Sequence, residues 1–181
     1  STEGNTQVQG GALSIDKGGE VVINNTRFVN NTAKSNSVVY GGALCMYDGG
    51  SLEMNGGEFS NNAATATNAW GIGYNEIGGG LFFRSTSNNG AILSNVSFSG
   101  NSVSGQGLLN GGAATFIGND TSVNEVTLSD VAFNNNFVSS VSFTDEDSND
   151  IAADARGGAV SLCTVNALFK ISKDTVYSGN Y

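Results

Sequence analysis

Residues 41–62 read GGALCMYDGGSLEMNGGEFSNN, a stretch that opens on paired glycines and closes on an aromatic residue followed three places later by asparagine. Between these ends the apolar residues fall two apart, Leu44 with Met46 and Leu52 with Met54. That is the period of a strand with one buried face. The pattern recurs along the chain. The glycine motif is GGAL at Gly10, Gly11, Ala12 and Leu13 and again at Gly41, Gly42, Ala43 and Leu44. It becomes GGGL at Gly78, Gly79, Gly80 and Leu81, GGAA at Gly111, Gly112, Ala113 and Ala114, and GGAV at Gly157, Gly158, Ala159 and Val160. Each copy is followed by an aromatic–asparagine motif: Phe28 with Asn31, Phe59 with Asn62, Phe98 with Asn101, Phe133 with Asn136, and Tyr177 with Asn180.

From the first glycine to the closing asparagine the spans are 22, 22, 24, 26 and 24 residues, whereas the intervals between them run from 9 to 20. Nearly constant units of this size, unable to bury an apolar face alone, indicate a stacked repeat architecture. The expected fold is all-β: a right-handed, single-stranded parallel β-helix of about five coils, each of three short strands. The coils are residues 10–31, 41–62, 78–101, 111–136 and 157–180, forming one domain. Residues 32–40, 63–77, 102–110 and 137–156 are expected as loops leaving at one corner, just after the asparagine.

In such a solenoid equivalent side chains pile up about 4.7–4.9 Å apart. The first strand would point Leu13 and Ile15, Leu44 and Met46, Leu81 and Phe83, Ala114 and Phe116, and Val160 and Leu162 inward. The second would add Val21 and Ile23, Leu52 and Met54, Ala91 and Leu93, Val126 and Leu128, then Phe169 and Ile171 after a one-residue shift. The motif aromatics end the third strand as a ring column. Asn31, Asn62, Asn101, Asn136 and Asn180 would form a ladder of amides at a turn. The paired glycines would admit backbone angles that a Cβ forbids, and the Ala or Gly after them would keep the outer face low. The outward phase is then Ala12, Ser14 and Asp16; Ala43, Cys45 and Tyr47; Gly80, Phe82 and Arg84; Ala113, Thr115 and Ile117.

Composition fits this reading. There are 26 glycines, no proline, only 13% charged residues and a net charge of −9. So acidic a surface repels nucleic acid. The chain has no histidine and no CxxC pair, which excludes zinc sites and histidine-based catalysis. Cys45 and Cys163 fall three coils apart, about 14 Å on the strand spacing, too far for a mutual disulfide. No apolar run is long enough to enter a membrane, and no export signal precedes the repeats within these residues.

The alternation of GGA plus Leu, Ile or Val with FxxN resembles the signature of the chlamydial polymorphic outer-membrane proteins, and the resemblance runs from Gly10 to Asn180. It implies part of a longer autotransporter passenger, exported to the bacterial cell surface or secreted and followed by a C-terminal translocating barrel. It also implies an adhesin whose partner is a host-cell surface protein or glycan. GGGL, GGAA and Tyr177 depart from the pattern while keeping its logic of size and polarity.

Two of the intervals carry candidate contact chemistry. AATATNAWGIGYNEI at residues 63–77 holds Trp70 and Tyr74, aromatic anchors for a partner or else a cover for the solenoid flank. Residues 137–156 hold Asp145, Glu146, Asp147, Asp150 and Asp154. Asp145, Asp147 and Asp150 are the candidate oxygen ligands for calcium, but the glycine and terminal glutamate of an EF-hand are missing, so a solvated acidic loop without cofactor is expected. Two alternatives to adhesion stay open. One is a structural spacer or filament built by end-to-end association; the other is a polysaccharide-degrading β-helix enzyme. The outward phase shows no acidic pair for the enzyme, and Asp16 and Asp48 read as turn formers.

Overall fold

The structure, a computed structural model, describes residues 7–67, 77–85, 90–118, 124–144, 150–163 and 167–181. Among these residues there is no helix; parallel strands stack into a β-solenoid. The first face consists of the strands that follow the glycine pairs: Leu13–Asp16, Leu44–Gly49, Leu81–Ser85, Ala114–Ile117 and Val160–Cys163. Their register places Leu13 under Leu44, Leu44 under Leu81, Leu81 under Ala114 and Ala114 under Val160, with Ile15, Met46, Phe83, Phe116 and Leu162 in the parallel file. Alternation of side chains on a pleated strand sends both files to the interior.

The second face departs from the expectation of two short strands per coil. Val21–Val29, Leu52–Ser60 and Ala91–Ser99 are each a single nine-residue strand. Asn25, Gly56 and Asn95 sit near the middle of these strands with φ of 49°, 69° and 55°. A left-handed residue bends the chain there without interrupting its pairing, and Asn and Gly are the residues that accept that conformation at least cost. In the upper two coils the bend opens, giving Asn124–Ser129 with Ala132–Asn134, and Ala167–Ile171 with Val176–Ser178. The one-residue shift of the last coil is present, since Val126 pairs with Phe169 and Leu128 with Ile171.

The third face lies where loops were expected. Thr32–Ser35, Ala63–Ala66, Ser102–Gln106 and Phe137–Val141 form a parallel sheet directly after the ladder asparagines. Their inward residues are small: Ala33, Ala64, Ala66 and Val103 pack with Val39, Ile77 and Leu109 into a core of their own. Beyond this face Val8–Gln9 pairs with Val39–Tyr40 and Leu108–Asn110 with Asp154–Arg156, while Phe143–Thr144 and Asp150–Ile151 make an antiparallel pair within the longest insertion. Five strands therefore stack on the first two faces but four on the third, fewer complete turns than the five expected.

The main core contains the first-face and second-face files together with the motif aromatics. Phe28, Phe59, Phe98, Phe133 and Tyr177 form one column, with ring centroids 4.8, 4.7, 5.0 and 5.0 Å apart and planes within 12° of parallel. Burial tracks position along it: Phe98 and Phe133 are 0% exposed, Tyr177 47%. The outward phase needs correction. Ala43 and Ala113 belong to the main core, because the chain turns sharply at the glycine pair and sends the next side chain inward. Cys45, Phe82 and Ile117 do lie on the outer side, yet they are buried in a second cluster with Tyr40, packed against Val38, Tyr47 and Cys163, and Thr115 is buried as well.

Candidate functional site

Two corners of the solenoid hold the residues that the sequence singled out. At the first, the ladder asparagines form a continuous amide file. Asn62 Oδ1 accepts from the backbone N–H (3.0 Å) and Nδ2 (2.9 Å) of Asn31, while its own Nδ2 donates to Asn101 Oδ1 (2.9 Å) and to the Phe28 carbonyl (2.9 Å). Asn101 repeats this upward, donating to Asn136 Oδ1 (2.9 Å) and the Phe59 carbonyl (2.9 Å), and Asn136 donates to Asn180 Oδ1 (2.9 Å) and the Phe98 carbonyl (3.1 Å). Both amide protons and both lone pairs of Asn62 and Asn101 are thus used inside the protein. The residue before each ladder asparagine is Asn30, Asn61, Gly100, Asn135 or Gly179, all at φ between 54° and 65°. Sequence reading missed this place; its signal was that only Asn or Gly ever occupies it.

The glycine motif closes the same corner from the other side. Gly41 has φ of 72°. A Cβ on Gly42 would meet the Gly79 carbonyl of the coil above and the backbone of Ala63, the residue that follows the ladder asparagine. The two motifs of one coil therefore touch backbone to backbone, and the second glycine makes that approach possible. The paired glycines and the ladder asparagines thus hold neighbouring coils together.

The second corner is at the far end of the first face, in the second and third coils. Met46 pairs with Phe83 and Gly49 with Ser85, so Tyr47 and Asp48 together oppose the single residue Arg84. This β-bulge turns both side chains toward the guanidinium. Arg84 Nη1 donates to the Tyr47 hydroxyl at 3.0 Å, the guanidinium carbon stands 4.9 Å from the Tyr47 ring centroid, and Nε lies 3.3 Å from Asp48 Oδ1. Tyr40 supports the group from below, 5.0 Å from the Tyr47 ring and 4.7 Å from that of Phe82. Asp48 has φ of 52°, in keeping with its reading as a turn former, and so does Lys17 (56°) at the equivalent corner one coil down. The Arg84 and Asp48 side chains are 34% and 35% exposed. Asp16, the register partner of Tyr47 in the coil below, is exposed. Sequence reading placed Tyr47 and Arg84 outward but did not bring them together, because a bulge leaves no mark in a strict two-residue alternation.

The remaining candidates are distributed as follows. Trp70, Tyr74, Asp145 and Asp147 lie outside the described residues. Asp150 is exposed and accepts a hydrogen bond from Thr144 Oγ1 at 3.0 Å, while the Asp154 carboxylate is gripped by Arg156 at 2.6 Å. Among the described residues no three acidic, cysteine or histidine side chains converge as metal ligands. Both cysteines are free thiols. Burial, then the nearby Asp16 charge, pushes the Cys45 thiol up to about 12. That holds it protonated and unreactive at neutral pH. No family model, curated protein or solved structure matches the chain.

Proposed function

We propose that the chain is a non-enzymatic adhesin segment from the passenger of an autotransporter, displayed at a bacterial cell surface or secreted, and that it attaches to a host-cell surface protein or glycan. The observation that carries this reading is Arg84 over the Tyr47 ring on the outer side of the first face, both partly exposed and held from within by buried Tyr40 and Phe82. Aromatic and arginine side chains are the usual anchors of binding surfaces. The repeats that fix this group resemble those of a family of exported adhesins.

Beads coated with the purified chain are expected to attach to cultured epithelial cells above beads coated with an inert protein, and attachment equal to that control contradicts the reading. Replacing residues 68–76 by a Gly-Ser linker then tests the Trp70 and Tyr74 segment as a contact; unchanged attachment removes it. A structural spacer or filament is the second reading, in keeping with parallel strands that stack in register along one axis. Sedimentation across a wide concentration range decides it, since a filament former elongates and a spacer that acts alone stays monomeric.

A further inference from the structure

The Tyr47–Asp48–Arg84 bulge interrupts the stacked register of the first face, and three observations coincide there. The first is the bulge itself, uncommon between parallel strands and favoured where a side chain has to be re-aimed. The second is Asp48 Oδ1, a buried oxygen that accepts no hydrogen bond among the described residues although Arg84 Nε stands 3.3 Å away. That ion pair fixes the guanidinium, and with Oδ1 covered it is the remaining, exposed part of the Asp48 side chain (35%) that faces a ligand. The third is the hydrogen-bonding capacity left over. The Tyr47 hydroxyl accepts from Arg84, so its own proton is free to donate outward, and the exposed Asp16 is the register partner of Tyr47 in the coil below.

Donors and acceptors therefore alternate around an aromatic base. Arg84 carries one positive charge against the two carboxylates of Asp48 and Asp16, a balance of −1 on a chain whose net charge is −9. A phosphate, sulfate or sialate would meet two carboxylates and the field of the whole molecule. A hydroxyl-rich neutral ligand would not, and neighbouring hydroxyls of one sugar ring can donate to a carboxylate while accepting from Tyr47 and Arg84.

We propose that Asp16, Tyr47, Asp48 and Arg84 form a binding subsite for an uncharged sugar unit of a host-surface glycan. The proposal rests on the adhesin reading and specifies its ligand. Its test is a panel of immobilised oligosaccharides, neutral, sialylated and sulfated, probed with the purified chain at physiological salt. The strongest neutral binder is then titrated against the native chain and the variants Tyr47→Phe, Asp48→Asn and Arg84→Gln. Tyr47→Phe keeps the ring stack, and asparagine tolerates the left-handed backbone at position 48, so both variants are expected to retain the native thermal unfolding curve. The expected result is binding to neutral members with affinity reduced about ten-fold or more in Tyr47→Phe and Asp48→Asn, since each loses a hydrogen bond to the sugar. Binding confined to the acidic members, or neutral binding that the folded variants leave unchanged, overturns the proposal. If no oligosaccharide binds while coated beads still attach to cells, the sugar subsite is refuted and the adhesin reading survives; if neither occurs, both fall.

Discussion

The asparagine ladder and the Tyr47–Arg84 bulge occupy opposite ends of the first face, and they use polar side chains in opposite ways. In the ladder, the Asn62 and Asn101 amides spend every proton and lone pair on neighbouring coils. In the bulge, the buried Asp48 oxygen is held only by its ion pair with Arg84, and Tyr47 and Arg84 remain partly exposed to solvent. Periodicity and polarity together mark scaffold, while the polar group that breaks the period is where binding is proposed. Damage to the ladder corner should cost stability, and damage to the bulge should cost recognition.

The severest break is expected at Gly79, where a Cβ would meet the Gly112 carbonyl and the Ser102 backbone at once. Gly79→Val should abolish the soluble folded state, read as loss of the β signal in far-ultraviolet circular dichroism. Next comes Asn101→Ala, which takes away the acceptor of the N–H and Nδ2 of Asn62 and the side-chain donor to the Phe59 carbonyl in a buried setting, while Asn136 Oδ1 keeps the backbone N–H of residue 101. At about 1–3 kcal/mol for each unsatisfied buried group, partly offset by relaxation, a loss of about 3–5 kcal/mol in denaturant unfolding is expected. A loss below about 1 kcal/mol would show that the amides are replaceable. The ring column should show the same gradient along the axis. Phe98→Ala should cost about 3–5 kcal/mol, whereas Tyr177→Ala, whose ring is already 47% exposed, should cost about 1.5 kcal/mol or less.

Much of this scaffold was legible in the sequence, because each inward file repeats a residue type at one place in the coil. The five aromatics, the five ladder asparagines and the two-residue alternation through Leu44 and Met46 all land where that alternation puts them. The third face was not legible. Ala33, Ala64 and Ala66 alternate with Thr, Ser and Lys and carry too little apolar bulk to stand out, yet they bury fully against Val39, Ile77 and Leu109. The fused second face was hidden for a different reason: Asn25, Gly56 and Asn95 read as turn residues, and their left-handed backbone bends a strand instead of ending it. The bulge depends on which residue of the third coil pairs with Gly49, and a single strand's pattern holds no information about that register.

A smaller effect concerns Cys45, whose thiol is raised from 9.0 to about 12 in the folded chain. The folded state then binds a proton that the unfolded state has released, so stability is intact below about pH 9 and falls as pH climbs toward 12. Cys45→Ala should remove that part of the slope in denaturant titrations over this window, and an unaltered slope would mean that the thiol is not shielded. The smallest effect is expected for Lys170→Ala. Its ammonium holds the Glu125 carboxyl below the usual carboxylate range through a direct hydrogen bond at 2.9 Å, but the pair is exposed. No measurable change in unfolding is expected there at moderate salt.

The claim beneath all of these expectations is that the coils lie in register, one above another. Val22, Glu53, Ile92, Thr127 and Lys170 are successive partners on the outer side of the second face. Spin labels on Val22→Cys and Lys170→Cys, in a chain with both native cysteines replaced by alanine, should therefore report a narrow distance distribution centred at about 19 Å, four strand spacings. A broad distribution, or one centred beyond about 30 Å, would contradict the stacked arrangement.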